Sequence, residues 1–267
     1  MSQALKTDLY QLTMAAAYFH HGLHQQQVTC EAFLRRLPPR RGFLVMAGTA
    51  RLVEYFAGLR FTAEDIAFLR TVPQLAAAMT PAFVDRLAGF RFRADVWAAP
   101  EGSVVFADQP LLRVTGGLLE AQLVETYLLS VLNHGIKVAS KAARVVLAAG
   151  RAQVIEFGSR RTHDEAAVDA ARAAYVAGVA ATANVEAGRR HGVPLTGTAA
   201  HMFIMAHARS GVPAGQTERE AFAHFVETFP DRPTLLVDTY DTPAGVDNAI
   251  AAAGAKLGGV EPRPRQP

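Results

Sequence analysis

Apolar residues recur at helical spacing from Asp8 to His21, at Leu9, Leu12, Ala16 and Phe19, with Thr7 ahead and Gly22 behind. That spacing builds one apolar face, and the flanking residues suit a capped amphipathic helix. Val28 to Arg35 partly alternates and then meets Leu37-Pro38-Pro39, which predicts a strand leaving into a turn. Gly42 to Met46 is a second short strand candidate, and Thr49 to Leu59 reads as a helix. Thr62-Ala63-Glu64-Asp65 and Thr80-Pro81 mark two further helix starts, the second with proline at the first helical position. Phe90 to Trp97, Val104 to Phe106 and Leu111 to Val114 read as short strands separated by Pro and Gly turns. Residues 1–117 are therefore expected to form an α+β domain.

After Gly116-Gly117 the texture changes. Leu118 to Asn133 and Lys137 to Ala149 read as two long amphipathic helices, the second ended by Gly150. Val154 to Phe157 is a strand candidate, followed by a helix from about Asp164. Pro194-Leu195-Thr196 is a short extended stretch before a helix around Ala199 to Ala208. Thr234 to Asp238 is a third strand, followed by a helix opened by Thr242-Pro243. Strands separated by helices predict βα units with parallel strands, in an open sheet or a barrel. The expected fold class is α/β: an α+β N-terminal domain over 1–117, then a helical connection and an incomplete parallel α/β barrel-like domain over 118–267. Val260 to Pro267 hold three prolines and no periodicity, and are expected to fray.

Composition narrows the class. Half of the 267 residues are hydrophobic and 19% are charged, which excludes a disordered polyampholyte. Cys30 is the single cysteine, so no internal disulfide forms. Lys and Arg outnumber Asp and Glu by 27 to 24, and the arginines are scattered, so nothing favours nucleic acid as a partner. Lys6 and Asp8 interrupt the start before a signal-peptide core develops, and no uncharged apolar run reaches the roughly 18 residues of a membrane span. A soluble, cytoplasmic protein is expected, with no membrane partner.

Three strand ends carry chemistry, and ligands of parallel α/β folds bind at such ends. In Phe157-Gly158-Ser159-Arg160-Arg161-Thr162-His163, Thr162-x-x-Glu165 has the pattern of a capping box. Two guanidiniums beside a helix N-terminus suit phosphate or carboxylate; they also suit a solvated arginine pair. In Thr196-Gly197-Thr198-Ala199-Ala200-His201, a Gly-Thr step would let the backbone approach a phosphate, and His201 falls in the first turn of a helix, where a lone histidine is more often structural than catalytic. In Asp238-Thr239-Tyr240-Asp241-Thr242, two carboxylates suit Mg²⁺ or sugar hydroxyls, or Asp241 or Thr242 caps the Pro243 helix. Walker A, strand-linked G-x-G-x-x-G, G-x-S-x-G and H-E-x-x-H patterns are absent.

Taken in order, these segments resemble the nicotinate phosphoribosyltransferase family. The residues that carry the resemblance are Thr7-Asp8-Leu9-Tyr10-Gln11-Leu12-Thr13-Met14, Phe33 with Arg35 and Arg36, Pro100-Glu101-Gly102 with Pro110-Leu111, Leu119-Glu120-Ala121-Gln122 and Lys141-Ala142-Ala143-Arg144. Glu156-Phe157-Gly158-Ser159-Arg160-Arg161, Gly197-Thr198 with Ala200-His201, and Asp238-Thr239-Tyr240-Asp241-Thr242 continue it, from residue 7 to about 259.

The resemblance implies conversion of nicotinate and phosphoribosyl pyrophosphate to nicotinate mononucleotide and pyrophosphate, coupled to ATP hydrolysis, with Mg²⁺. It implies that Tyr10 lines the pyridine site, that Arg160 and Arg161 face the nicotinate carboxylate or a phosphate, and that His201 is transiently phosphorylated. Gly197 and Thr198 would contact the phosphoribosyl group, and Asp238 and Asp241 the ribose and Mg²⁺ side; no metal ligand set is assigned. It also implies a homodimer in which Tyr10 serves the neighbour's site. The family continues into an Arg-x-Asp-Ser-Gly-Asp strand end and glycine-rich phosphate loops, so about three barrel strands are expected here and activity only with a second chain completing the barrel. The alternatives are a non-catalytic assembly or ligand-binding module, and a related transferase for nicotinamide or quinolinate.

Overall fold

The computed structural model describes residues 3–262. The chain divides into two compact units, Met1–Leu195 and Thr196–Pro267.

The first unit opens with α1, Leu9–His20, as the apolar spacing predicts. Its buried face includes Gln11, fully enclosed, which donates from Nε2 to Glu125 Oε2 at 2.7 Å and accepts from Gln122 Nε2. Strands β1 (Gln27–Phe33) and β2 (Leu44–Val45) precede α2 (Thr49–Gly58), α3 (Ala63–Thr71), α4 (Pro73–Ala76) and α5 (Pro81–Ala88). The start of α3 is a full capping box: Asp65 N donates to Thr62 Oγ1 at 3.1 Å and Thr62 N to Asp65 Oδ2 at 2.8 Å. Strands β3 (Asp95–Ala98), β4 (Val104–Val105) and β5 (Pro110–Gly117) complete this part. β5 lies between β1 and β3 in an antiparallel sheet, and β2 pairs antiparallel with β4. The strand expected from Phe90 begins only at Asp95, because Phe90 closes α5 and plugs the core at 1% exposure.

At Gly117 β5 runs directly into α6 (Leu118–Leu123), followed by α7 (Glu125–Ala149). The expected break between residues 133 and 137 is absent. The helix continues through Gly135 and is interrupted instead at Val124. Glycine serves packing there: a Cβ on Gly135 would stand 2.8 Å from Ala47 O. The chain before α2 thus lies directly on α7. Leu52, Leu69, Phe83, Leu87, Phe90 and Leu119 fill one core, and Tyr55 stacks on Tyr127 at 3.9 Å.

Glu101, from the turn before β4, joins distant pieces of this unit. Its Oε1 accepts from Gly48 N at 2.7 Å and Arg172 Nη1 at 2.9 Å, and its Oε2 from Arg172 Nη2 at 2.5 Å. Arg172 belongs to α8 (Asp164–Val176), which packs on α7. Strand β6 (Ile155–Glu156) runs parallel to β7 (Ala181–Thr182), Thr182 makes a parallel bridge to Leu195, and α9 (Val185–His191) follows β7. The parallel pairing matches the expected βα pattern. β7 itself has no signal in an alanine-rich stretch.

The second unit contains α10 (His201–Met205), α11 (Ala214–Thr228), β8 (Thr234–Leu236), α12 (Thr242–Ala253) and β9 (Gly259–Glu261). β8 and β9 are parallel, around a core that includes Ile204, Phe222, Leu235, Val237 and Ala249. A Cβ on Gly245 would collide with Val237 O, so glycine lets α12 rest on the strand end. α10 is shorter than the expected Ala199–Ala208 helix, and α11 had no counterpart in the hydrophobic pattern. The expected fraying from Val260 is corrected: Val260 and Glu261 pair with Leu235 and Leu236. Residues 263–267 of that segment lie outside the described residues. Among the described residues no helix is long and apolar enough to cross a membrane.

Candidate active site

In the first unit the arginine turn leaves β6. Ser159–Arg161 form one 3₁₀ turn, closed by Arg161 N donating to Gly158 O at 2.8 Å. Glu156 anchors it: one carboxylate oxygen accepts from Gly158 N, the other from Thr182 Oγ1 at 2.6 Å. Asn184 then donates from its backbone to Thr182 Oγ1 at 3.0 Å and from Nδ2 to Ser159 Oγ at 3.1 Å. The turn is thus tied to the end of the neighbouring strand through the side chains of Glu156, Thr182, Asn184 and Ser159. A half-buried network of this kind, with Thr182 at its buried centre, favours one arrangement of its members.

The expected capping box at Thr162 does not form. α8 starts at Asp164, and the Glu165 carboxylate is taken by the Arg190 fork at 3.1 and 3.2 Å, which holds its pKa below the ordinary range. A charge-assisted bidentate pair outcompetes a single backbone N–H. Asp164 Oδ1 accepts from Glu165 N at 2.7 Å, so the chain's own carboxylate already faces the helix N-terminus. Arg160 and Arg161 of this turn are both exposed and in no ion pair among the described residues, which leaves their guanidiniums open to an anion. Arg161 also borders a largely apolar cleft of about 540 Å³ whose other cations are Lys137 and Lys141. Tyr10 stands on α1, 49% exposed, and its backbone carbonyl accepts from Thr13 Oγ1 at 3.1 Å.

In the second unit, His201 is the first residue of α10. Its Nδ1 lies 3.2 Å from Thr239 Oγ1, and its Nε2 3.9 Å from Asp238 Oδ1. The Asp238 side chain is 6% exposed and the imidazole 35%, so the ring is reachable above an enclosed carboxylate. Both sit at the carboxyl ends of the parallel pair β8–β9, together with Glu261. Burial first, then the charge of Asp238, pushes the Glu261 carboxyl above its ordinary pKa, against the opposing pull of His201. Glu261 escaped the sequence reading because its segment looks like a proline-rich tail.

Thr198 Oγ1 donates to Thr234 O at 2.8 Å, pinning the loop before His201 to β8. Gly197 is exposed, and a Cβ there would meet nothing within 4 Å. Asp241 Oδ1 accepts from Ala244 N at 2.9 Å and caps α12, so one of its oxygens is committed to the helix. The structure thus brings His201 and Asp238 together, places Thr198 on the loop that leads to His201, and gives Asp241 a capping bond. No group of three or more His, Cys, Asp or Glu converges as a metal cage among the described residues.

The chain is thus an α+β module followed in sequence by α/β segments whose short parallel strands carry charged residues at their carboxyl ends. Residues 5–133 match the nicotinate phosphoribosyltransferase N-terminal domain. Nicotinate phosphoribosyltransferase pncB1 of Mycobacterium tuberculosis is 50% identical over 256 residues, covering 96% of this chain and 56% of the relative. The Bacillus subtilis nicotinate phosphoribosyltransferase is 39% identical over 254 residues, covering 94% and 49%. The crystal structure of human nicotinic acid phosphoribosyltransferase superposes with a TM-score of 0.83 at 30% identity, covering 96% of this chain and 60% of that one. Over nearly its whole length the chain is thus similar to nicotinate phosphoribosyltransferases. It spans about half the length of the curated relatives it matches.

Proposed function

We propose that this chain serves the reaction its relatives are named for: transfer of a phosphoribosyl group from phosphoribosyl pyrophosphate to nicotinate, giving nicotinate mononucleotide and pyrophosphate, with ATP phosphorylating His201. The observation that carries the reading is His201 itself, a reachable imidazole at a parallel strand end, oriented through Nδ1 by Thr239 and set beside a buried carboxylate. In the Nδ1–H tautomer the ring donates to Thr239 Oγ1 and leaves the Nε2 lone pair free to accept a phosphoryl group. Asp238 stabilises the positive charge that the ring acquires when it does so.

Ribosyl transfer builds positive charge on the sugar, so the protein's task is to position both substrates and to balance the departing anion. Arg160 and Arg161 would take the nicotinate carboxylate or a phosphate, on a turn that Glu156 and Asn184 hold. Tyr10 would cover the pyridine ring of its own or a second copy's site in a homodimer. Mg²⁺ fits as an ion brought on substrate phosphates, with Asp238 and Glu261 the carboxylates beside His201, since Mg²⁺ needs only one or two protein ligands.

Incubation with γ-labelled ATP is expected to place one acid-labile phosphate on the chain, absent in His201→Asn. Failure to label the chain, or undiminished labelling of the variant, refutes the role of His201. Calorimetry should show nicotinate binding that Arg160→Gln with Arg161→Gln weakens about tenfold or more, and weaker binding of nicotinamide, which lacks the carboxylate. Equal affinity for the two ligands would refute the arginine assignment.

A further inference from the structure

A cleft of about 460 Å³ in the first unit holds none of the residues assigned above. It is bordered by Arg86 in the last turn of α5, Arg93 in the segment before β3, Asp95 at the start of β3, His24 in the turn after α1, and Glu120 in α6. Arg86 Nε and the Nδ1 of His24 are buried and have no hydrogen-bond partner among the described residues. Neither Arg86 nor Arg93 forms an ion pair among the described residues, although two carboxylates line the same cleft. Buried donors without partners are rare, and a charged one is costly to leave unpaired.

The donors are also held in place. Phe83 and Leu87 of α5 are 1% and 0% exposed, which fixes the turn that carries Arg86. The His24 ring packs on Phe19 at 5.0 Å, and its carbonyl accepts from Leu119 N at 3.3 Å. Two guanidiniums and an imidazole around one cleft match the multiple acceptor oxygens of a phosphate. Asp95 and Glu120 can only accept when ionised, and so suit ligand hydroxyls.

We propose that this cleft is a binding site for a phosphorylated polyol, with Arg86, Arg93 and His24 on the phosphate and Asp95 and Glu120 on hydroxyls. The proposal is independent of the transferase reading. Calorimetric titration of the full chain with inorganic phosphate and with glucose 6-phosphate tests it, in an Arg160→Gln, Arg161→Gln background that removes the other arginine pair. One saturable phosphate site is expected to persist there and to weaken about 10- to 100-fold in Arg86→Gln and in Arg93→Gln. Arg86→Lys, which keeps charge and stem, should weaken it less, and thermal melts superimposable with the parent exclude unfolding as the cause. Glucose 6-phosphate should bind more tightly than phosphate, and Asp95→Asn with Glu120→Gln should remove that preference. Phosphate binding unchanged by Arg86→Gln and Arg93→Gln, or no saturable site in this background, overturns the site. A sugar phosphate no tighter than phosphate overturns the polyol assignment.

Discussion

Replacing Glu101 with Gln keeps the side-chain shape and removes one charge from a pair that ties α8 to the start of α2. The carboxylate is 14% exposed and its Arg172 partner 24%, so solvent screens the pair only in part. It accepts two guanidinium N–H bonds, at 2.9 and 2.5 Å, and backbone bonds from Gly48 at 2.7 Å and Ala50 at 3.4 Å. Hydrogen bonds to a charged group contribute about 1.5–3 kcal/mol net, and the amide retains the backbone bond, so Glu101→Gln should cost about 1.5–3 kcal/mol. For a chain of this size that is a fall in Tm of roughly 3–12 °C. The pH dependence supplies a second readout. Burial raises the Glu101 pKa, but the bonds from Arg172 and from the backbone outweigh it and hold it below the ordinary 4.5. The folded carboxyl therefore releases its proton more readily than the unfolded one. Its contribution is complete above the ordinary carboxylate range and disappears as pH falls through the lowered value. Urea unfolding of both proteins from pH 7 downward should show the gap between them narrowing below about pH 4.5. A gap under about 0.5 kcal/mol at pH 7, within the range of ordinary surface substitutions, or one that widens on acidification, refutes the clamp.

Three further outcomes follow from other contacts. Gly135→Ala improves helix propensity by about 1 kcal/mol, yet its Cβ would press on the Ala47 carbonyl at 2.8 Å, so overpacking should prevail and urea unfolding should show a net loss of about 1–3 kcal/mol; a more stable variant refutes the contact. Asp241→Ala should destabilise by about 0.5–2 kcal/mol through loss of the α12 cap, and Asp241→Asn should restore most of it; chemical denaturation distinguishes them. Glu261 has a folded pKa raised by burial and by Asp238, so the folded state holds its proton to higher pH than the unfolded chain. Stability should therefore fall as pH rises through the window above 4.5, with Glu218 acting in the same direction, and Glu261→Gln should flatten the slope of the urea midpoint against pH.

Much of the fold is legible in local chemistry. The α1 face, the Thr62–Asp65 capping box, the Thr80-Pro81 start and the Asp241-Thr242-Pro243 start are written in adjacent residues, because caps and periodic faces depend on neighbours along the chain. The motifs around Arg160, His201 and Asp238 are visible for the same reason. What escaped depends on distant partners. Thr162 and Glu165 have the spelling of a capping box, but Arg190 claims the glutamate, and no local rule ranks that competitor. Glycine at 135 looks like a helix break until Ala47 is seen to need the space. Ala181-Thr182 has no strand signal, yet it becomes β7 because β6 and Leu195 lie on either side of it.

By itself, then, the sequence determined the α/β class, most helix starts and the residue types able to handle phosphate and carboxylate groups. Only the tertiary structure decided that Glu156 and Asn184 hold the arginine turn, that Glu261 joins His201 and Asp238, and that Arg86 and Arg93 line one cleft without ion partners among the described residues. Those relations span up to dozens of residues along the chain, and charge, burial and hydrogen bonding act through space.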